Sequence, residues 1–139
     1  MRIIVLEEMP HKGKTTTLWI VRDLLLSAGG TSTAFKIFGT PPIPYKNDFE
    51  DVIINYKSLK IGLYSSGDYS NGLASAIRSF ATLGCDVLIC PLSLNSPKVN
   101  ANKEINKHNN IRQPKTVEIN KSLQSTVNTT DANTILSLI

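Results

Sequence analysis

Two short runs along the chain are apolar at every position, and they indicate the fold class. Residues 3–6 and 87–90 contain no polar side chain, which is typical of strands that helices cover on both faces. Apolar residues recur with helical spacing over residues 15–28 and 69–83. We expect the second apolar strand to end at Pro91, because proline cannot donate a hydrogen bond to a sheet ladder. Strands that alternate with helices in this way predict βαβ units and a parallel sheet.

Three further segments have the composition of strands. Residues 51–56 and 59–64 flank a short connection and predict a β-hairpin, and residues 31–38 are rich in β-branched and aromatic side chains. We therefore expect a single α/β domain over residues 1–139. It would be a three-layer, doubly wound domain with a mostly parallel sheet of about five strands, helices on both faces and one β-hairpin.

The last third of the chain is more polar. Residues 95–115 are rich in asparagine and poor in large apolar side chains, so we expect a mobile loop or lid, with a short helix near residues 101–107. Residues 116–119 predict a final strand. Residues 131–138 predict a short closing helix, with Asp131 near its N-cap.

Composition and charge narrow the class of protein. No apolar run approaches the roughly 20 residues that cross a bilayer, so we expect no membrane partner. Glu7 and Glu8 directly follow the first strand, which does not predict a secretory signal, and we expect a cytoplasmic protein. The net charge of +4 suits an anionic ligand such as a nucleotide. It is too small a surplus to favour nucleic acid as the partner.

The first strand and the first helix are joined by a segment with the layout of a phosphate-binding loop. The helix opens on Gly13-Lys14-Thr15, and a helix N-terminus presents free N–H groups and the positive end of its dipole to an anion. In such a loop the glycine lets the backbone approach phosphate, the lysine reaches the β- and γ-phosphates, and the threonine hydroxyl binds Mg²⁺. These three residues predict a site for nucleoside triphosphate, ATP or GTP, with Mg²⁺.

One position departs from that pattern. The full motif begins with a glycine five residues before Gly13, where this chain has Glu8. A residue with a Cβ adopts many glycine conformations only with strain, and a carboxylate repels phosphate. The loop is therefore either reshaped and still binds nucleotide, or retained as a scaffold with weak or lost binding. A chance Gly-Lys-Thr at a helix start is the third interpretation.

A second candidate follows the predicted strand at residues 59–64. Asp68 comes after it, behind Ser-Ser-Gly, and a carboxylate beyond the end of an apolar strand is typical of the Walker B acid that holds Mg²⁺. Because ligands bind at the carboxyl ends of the strands in an open α/β sheet, Asp68 is expected to meet Lys14 and Thr15 there. The alternative is a plain turn in which Asp68 caps the following helix.

These motifs together resemble the small P-loop nucleoside triphosphatases of the kinase-like group, including small bacterial ATP-binding proteins of that superfamily. The resemblance covers about residues 1–92 and includes the strand that ends at Cys90. It implies a P-loop NTPase-like fold, Lys14 and Asp68 as catalytic residues, and Thr15 and Asp68 as Mg²⁺ ligands. The residues that it places around the nucleotide phosphates are His11, Lys12, Gly13, Lys14, Thr15 and Thr16.

The polar segment offers positive charge for such a site. It carries five cations against the single acid Glu104, and these could close over a bound triphosphate or form a solvated loop. The cations are Lys98, Lys103, Lys107, Arg112 and Lys115.

Our leading hypothesis is a small-molecule kinase or a slow NTPase that uses Mg²⁺, with a small molecule as phosphoryl acceptor. The alternatives are a catalytically inactive binding module on a P-loop scaffold and, less favoured, a nucleic-acid-associated protein.

Overall fold

A computed structural model describes residues 1–9, 13–116 and 121–139 of the chain. Within them it forms seven strands and four helices. The elements in chain order are β1 (Arg2–Glu8), α1 (Lys14–Ser27), β2 (Thr31–Ser32), β3 (Lys36–Ile37), β4 (Phe49–Tyr56), β5 (Leu59–Tyr64), α2 (Ser70–Thr82), β6 (Val87–Ser93), α3 (Val99–Ile105), β7 (Asn109–Pro114) and α4 (Lys121–Ser137).

All strands join one mixed sheet in the order β2-β4-β5-β6-β1-β7, and β3 also pairs with β4. The strands β5, β6, β1 and β7 are parallel to one another, while β4 runs antiparallel to β5, β2 and β3. The α/β class expected from the sequence is confirmed. The expected sheet of about five strands is too small, because the strand predicted over residues 31–38 is divided in two and the unpredicted β7 adds an edge strand beside β1.

Helices pack on both faces of this sheet, and β1 supplies both cores. Ile4 and Leu6 belong to a core with α1 and α4, whereas Ile3 and Val5 belong to a core with α2 and α3. Successive side chains of a strand point to opposite faces. The run of apolar residues in β1 is thus explained by helices on both sides, since neither alternating set meets water.

The predicted hairpin is confirmed as β4 and β5. Its two connecting residues, Lys57 and Ser58, have φ of 51° and 59°, and two consecutive residues with positive φ form the turn that matches the twist of a two-residue hairpin.

The strand predicted over residues 31–38 is divided into β2 and β3. The cause is the buried carboxylate of Asp51, which accepts hydrogen bonds from the Ala34 amide at 3.2 Å and from Ser32 Oγ at 2.6 Å. Arg22 completes the group with an ion pair to Asp51 at 2.9 Å. Because the Ala34 N–H bonds a side chain, the β-ladder is interrupted there.

The prediction that Pro91 ends its strand is wrong, since β6 continues to Ser93. Pairing of β6 with β5 stops at Leu63 and Ile89, and the Pro91 carbonyl faces Gly67, in the chain that follows β5. The missing N–H of Pro91 therefore removes no ladder bond between paired strands.

The short helix expected near residues 101–107 is confirmed as α3, which spans Val99–Ile105. The polar loop or lid expected for the rest of residues 95–115 is wrong at its C-terminal end, where β7 pairs in parallel with β1. Residues 117–119 of the strand predicted at 116–119 lie outside the described residues. No helix in the described part of the chain is long and apolar enough to cross a membrane.

The C-terminal helix is longer than predicted. α4 begins at Lys121 rather than near Asp131, which lies inside the helix and is 2% exposed. Asp131 forms an ion pair with Lys115 at 2.8 Å and accepts two hydrogen bonds from Thr116. This buried cluster fixes the end of β7 to α4. Asp131 thus stabilises tertiary structure instead of capping a helix.

We predict that Lys115→Met lowers the free energy of unfolding by about 3 kcal/mol, because it leaves the Asp131 carboxylate buried without its cation. Urea unfolding of the purified variant measures this. Lys103→Met is the matched control, since Lys103 is exposed on α3, and it should unfold with the wild type. Equal stability of both variants would show that the buried ion pair makes no net contribution.

Candidate functional site

A polar cavity of about 390 Å³ lies at the carboxyl ends of the parallel strands, where open α/β sheets bind their ligands. The predicted residues Gly13, Lys14, Thr15, Thr16 and Asp68 all line it. His11 and Lys12 lie outside the described residues. The structure adds seven lining residues that the sequence analysis did not predict: Tyr45, Lys46, Asp48, Ser65, Gly67, Gln124 and Asn128.

Gly13 lets α1 begin at the wall of this cavity. It is the N-cap of the helix in the left-handed region, with φ of 89° and ψ of 14°, which glycine adopts without a steric cost. A Cβ on Gly13 would also stand 2.6 Å from Asn128 Oδ1. Since glycine has no side chain to cap the helix, the first-turn N–H groups and the positive end of the helix dipole remain available to an anion.

Lys14 is the first residue of α1 and is 7% exposed. Its Nζ donates hydrogen bonds to the carbonyls of Met9 at 2.7 Å and Glu8 at 3.1 Å. Burial lowers the pKa of Lys14, and the negative charges of Asp68 and Glu8 act in the opposite direction. Within the described residues no ion pair includes Lys14. The ammonium group is therefore a buried cation bonded to neutral oxygens.

Glu8 does not need the conformation of glycine. It is the last residue of β1, where it pairs with Ser93, and its carboxylate accepts the Met9 N–H at 2.6 Å. The strand extends over the position where the motif has its first glycine, so the loop starts later than in the motif. The Glu8 carbonyl accepts a hydrogen bond from Lys14, and the Glu8 carboxylate adds negative charge near the same ammonium group.

Asp48 is the main residue that the sequence analysis missed. Its Oδ1 accepts a hydrogen bond from Thr15 Oγ1 at 3.1 Å and another from Ser65 Oγ at 2.9 Å. Asp48 precedes β4, which is antiparallel to β5. The start of an antiparallel strand lies at the same sheet edge as the carboxyl ends of the parallel ones. Among the sequence patterns, only the predicted hairpin indicated that the residue before β4 lies at this edge.

Asp68 reaches the cavity although β6 separates β5 from β1. The chain after β5 crosses the end of β6, where the Ser93 N–H donates to the Gly67 carbonyl at 3.0 Å and the Ser93 hydroxyl donates to Asp68. The N-cap of α2 is Tyr69, so the alternative in which Asp68 caps that helix is wrong. Asp68 lies at the exposed rim of the cavity.

Two amide side chains from α4 form another part of the wall. Asn128 is 3% exposed and faces Gly13, and Gln124 Nε2 donates to Asn128 Oδ1 at 2.8 Å. Both residues lie before the predicted closing helix over residues 131–138, so their contribution to the cavity was not predicted from the sequence.

The segment between β3 and β4 is fastened to α1 beside the cavity. Trp19 Nε1 donates to the Asn47 carbonyl at 2.9 Å, and Thr16 Oγ1 donates to the Tyr45 carbonyl at 3.4 Å. Together with the contact between Thr15 and Asp48, these bonds place the exposed Lys46 at the cavity wall.

The cations of the polar segment over residues 95–115 do not form a lid of free charges. Arg112 pairs with Glu7 at 3.0 Å and Lys107 pairs with Glu104 at 2.9 Å. Lys115 pairs with Asp131, as described above. Lys103 is exposed on α3, and Lys98 is buried. Most of these charges are therefore neutralised within the fold.

No family model, curated protein or solved structure matches this chain.

We predict that Gly13→Ala lowers the free energy of unfolding by more than Gly29→Ala does. Both glycines have positive φ, of 89° and 100°, but a Cβ at Gly29 meets nothing within 4 Å. Gly29→Ala thus measures backbone strain alone, about 1–2 kcal/mol, and the excess at Gly13 measures the clash with Asn128. Chemical unfolding of both variants checks this, and equal losses would show that Asn128 moves aside without cost.

Proposed function

We propose that this protein binds a nucleoside triphosphate, ATP or GTP, with Mg²⁺, and acts as a small-molecule kinase or a slow NTPase. The observation that carries the proposal is Lys14, a buried ammonium group without a carboxylate partner among the described residues, beside the open N-terminus of α1. The same proposal assigns the fold to the three-layer, doubly wound P-loop type. It is supported by the position of β1 between β6 and β7 and by helices on both faces of the sheet.

The triphosphate would bind along the start of α1. Backbone N–H groups of the first turn would bind phosphate oxygens, and Lys14 would exchange its bonds to two carbonyls for bonds to the β- and γ-phosphates. Thr16 lies at the same wall. A bond between an ammonium group and a phosphate is charge-assisted and stronger than one to a neutral carbonyl, so ligand binding offsets the burial of Lys14.

The residues near Thr15 fit Mg²⁺. The hydroxyl of Thr15 and the carboxylate of Asp48 are in contact, with the Ser65 hydroxyl on the same carboxylate oxygen. These are hard oxygen donors, and Mg²⁺ sites commonly combine one or two carboxylates with substrate phosphates. No group of three His, Cys, Asp or Glu side chains that could hold a metal ion occurs in the described part of the chain, so phosphate oxygens would complete the site. Mg²⁺ held by these residues would neutralise charge on the β- and γ-phosphates.

Asp68 takes a different position from the one expected of a Walker B acid. Thr15 contacts Asp48, whereas Asp68 lies at the rim of the cavity and is fixed by Ser93. In a kinase the acceptor oxygen attacks the γ-phosphorus while the bond to the β-phosphate breaks. Asp68 would orient the acceptor hydroxyl or water there and accept its proton, as a catalytic aspartate does in phosphoryl transfer. In this proposal Asp48 thus replaces Asp68 as the main ligand of Mg²⁺.

One observation favours a second function, that of an inactive binding module on the same scaffold. Lys14 already has two hydrogen-bond acceptors in the loop itself, and the Glu8 carboxylate is close enough to raise the pKa of Lys14. If these interactions outweigh those with phosphate, the loop stays closed to nucleotide. Replacing Glu8 with glycine separates the two functions, because a gain of affinity indicates a closed loop and a loss of activity gives Glu8 a role.

We predict that ATP with Mg²⁺ raises the thermal midpoint by roughly 5 to 10 °C at a concentration 100 times its Kd, since a ligand of the native state alone stabilises it. Lys14→Ala should abolish the shift, while Lys103→Ala, on the exposed surface of α3, should retain it. Differential scanning fluorimetry with ATP, GTP and ADP measures the effect. An unchanged shift in Lys14→Ala would refute the proposed site.

We also predict that Asp48→Asn raises the Mg²⁺ concentration needed for half of the ATP-dependent shift by at least about tenfold, the lower range for residues that support a metal site. Glu50→Gln is the control, because Glu50 lies on the adjoining strand but not at the cavity. Titration of Mg²⁺ at fixed ATP gives the comparison. If Asp68→Asn shifts the Mg²⁺ dependence and Asp48→Asn does not, the metal assignment is reversed.

A further inference from the structure

Asn128 presents a hydrogen-bond donor to the cavity at the start of α1. The residue is 3% exposed, and it lines that cavity. Its Oδ1 accepts a hydrogen bond from Gln124 Nε2 at 2.8 Å, whereas its Nδ2 has no acceptor among the residues that the structure describes. Within those residues, the only fully buried side-chain polar atom without a partner is Thr17 Oγ1. Asn128 Nδ2 is therefore open to the cavity and not enclosed by protein.

Packing of α4 against α1 fixes the position of this amide. Ala132 and Ile135 of α4 are buried in the core that α1 also enters, and Ala132 lies one turn beyond Asn128 on the same face of the helix. Asp131, also on α4, is held by its ion pair with Lys115 at 2.8 Å. The fold therefore positions the Asn128 side chain before any ligand binds, as a precise binding site requires.

The amide lies directly beside Gly13. A Cβ on Gly13 would stand 2.6 Å from Asn128 Oδ1 and 3.1 Å from Asn128 Nδ2, so the absence of a side chain at Gly13 makes room for the amide. Gly13 is the N-cap of α1 and makes no side-chain bond to the N–H groups of the first turn. The Nδ2 donor thus lies beside the end of α1 that favours an anion. These are independent features of two helices, and both suit the same kind of ligand.

The unused atom of the amide determines which ligand fits. Asn128 Oδ1 already accepts the bond from Gln124, so the group left for a ligand is the Nδ2 donor. Lys14, in the first turn of α1, also has donors only. Asn128, Lys14 and the first-turn N–H groups therefore form a set of donors at one helix end. Such a set suits the oxygens of an ionised phosphate group, which are strong acceptors.

We infer that Asn128 is a phosphate-binding residue, whose Nδ2 donates to a phosphate oxygen beside Gly13. This inference rests on the proposed function and adds to it a contact from α4, which is distant from the loop in sequence. The strand β1 extends through Glu8, over the position of the first motif glycine. Asn128 supplies at this loop a side-chain donor that the phosphate-loop motif itself does not include.

Asn128→Asp separates a role in binding from a role in packing. Aspartate has the shape of asparagine and can still accept the bond from Gln124, but it replaces the Nδ2 donor with a negatively charged oxygen. Asn128→Ala removes the donor and the packing contact together. We expect Asn128→Asp to weaken the binding of ATP with Mg²⁺ and of inorganic tripolyphosphate by about tenfold or more, the scale of one hydrogen bond to a charged group. The loss should exceed that in Asn128→Ala.

Calorimetry measures Kd for both ligands, and the thermal midpoint without ligand shows that each variant is folded. Asn133→Asp is the matched control, because Asn133 is exposed on α4 and the substitution adds the same charge to the same helix. This control should bind both ligands like the wild type. If Asn128 only supports packing, Asn128→Ala binds more weakly than Asn128→Asp, and that order overturns the inference.

The outcomes separate this inference from the proposed function. If the wild type binds ATP and Asn128→Asp binds it equally well, the role of Asn128 is refuted and the proposed function stands. If the wild type binds tripolyphosphate but not ATP, the proposed function fails, and weaker tripolyphosphate binding by Asn128→Asp supports the phosphate contact. If the wild type binds neither ligand, both are refuted. Should Asn128→Asp not fold, Asn128→Ala decides: weaker binding supports the inference, and wild-type affinity overturns it.

Discussion

The carbonyl oxygen of Glu8 holds the candidate site together. It accepts the ammonium group of Lys14 and the amide of Leu94, so one backbone atom joins the central strand, the start of α1 and the connection that leads to α3. A buried ammonium group needs such acceptors, because its desolvation is not offset by an ion pair. Backbone carbonyls at the end of β1 therefore set the position of the Lys14 side chain, rather than flexible side chains.

That strand end is rigid because β1 is packed on every side. It pairs with β6 and β7, and its apolar side chains alternate between two cores. Asp48, the second element of the site, is held at the start of β4, which runs antiparallel to β5. The cavity is therefore formed between a parallel strand that ends and an antiparallel strand that begins at the same sheet edge.

The sequence predicted those parts of the molecule whose signals are local. Apolar runs predicted β1 and β6, helical spacing predicted α1 and α2, and the motif at Gly13 to Thr15 predicted where the cavity lies. It could not predict Asp48, whose place depends on strand order and direction. It predicted only the C-terminal part of α4, since Asn128 and Asp131 are polar residues buried by specific partners, which binary patterning does not anticipate. The prediction at Pro91 was wrong for a related reason, because it also depends on strand pairing. Only the end of the pairing between β5 and β6 shows that the ladder needs no N–H at this position.

The replacement of the first motif glycine by Glu8 has a physical consequence beyond the shape of the loop. Because β1 extends through Glu8, the sheet fixes the Glu8 carbonyl in place. Lys14 therefore has a well-positioned hydrogen-bond acceptor there. A phosphate group at the start of α1 would therefore compete with the hydrogen bonds that the Glu8 and Met9 carbonyls already provide to Lys14. It would in return supply negative charge to an ammonium group that has no ion pair among the described residues. The balance between these two terms, more than the missing glycine, decides between a working nucleotide site and a retained scaffold.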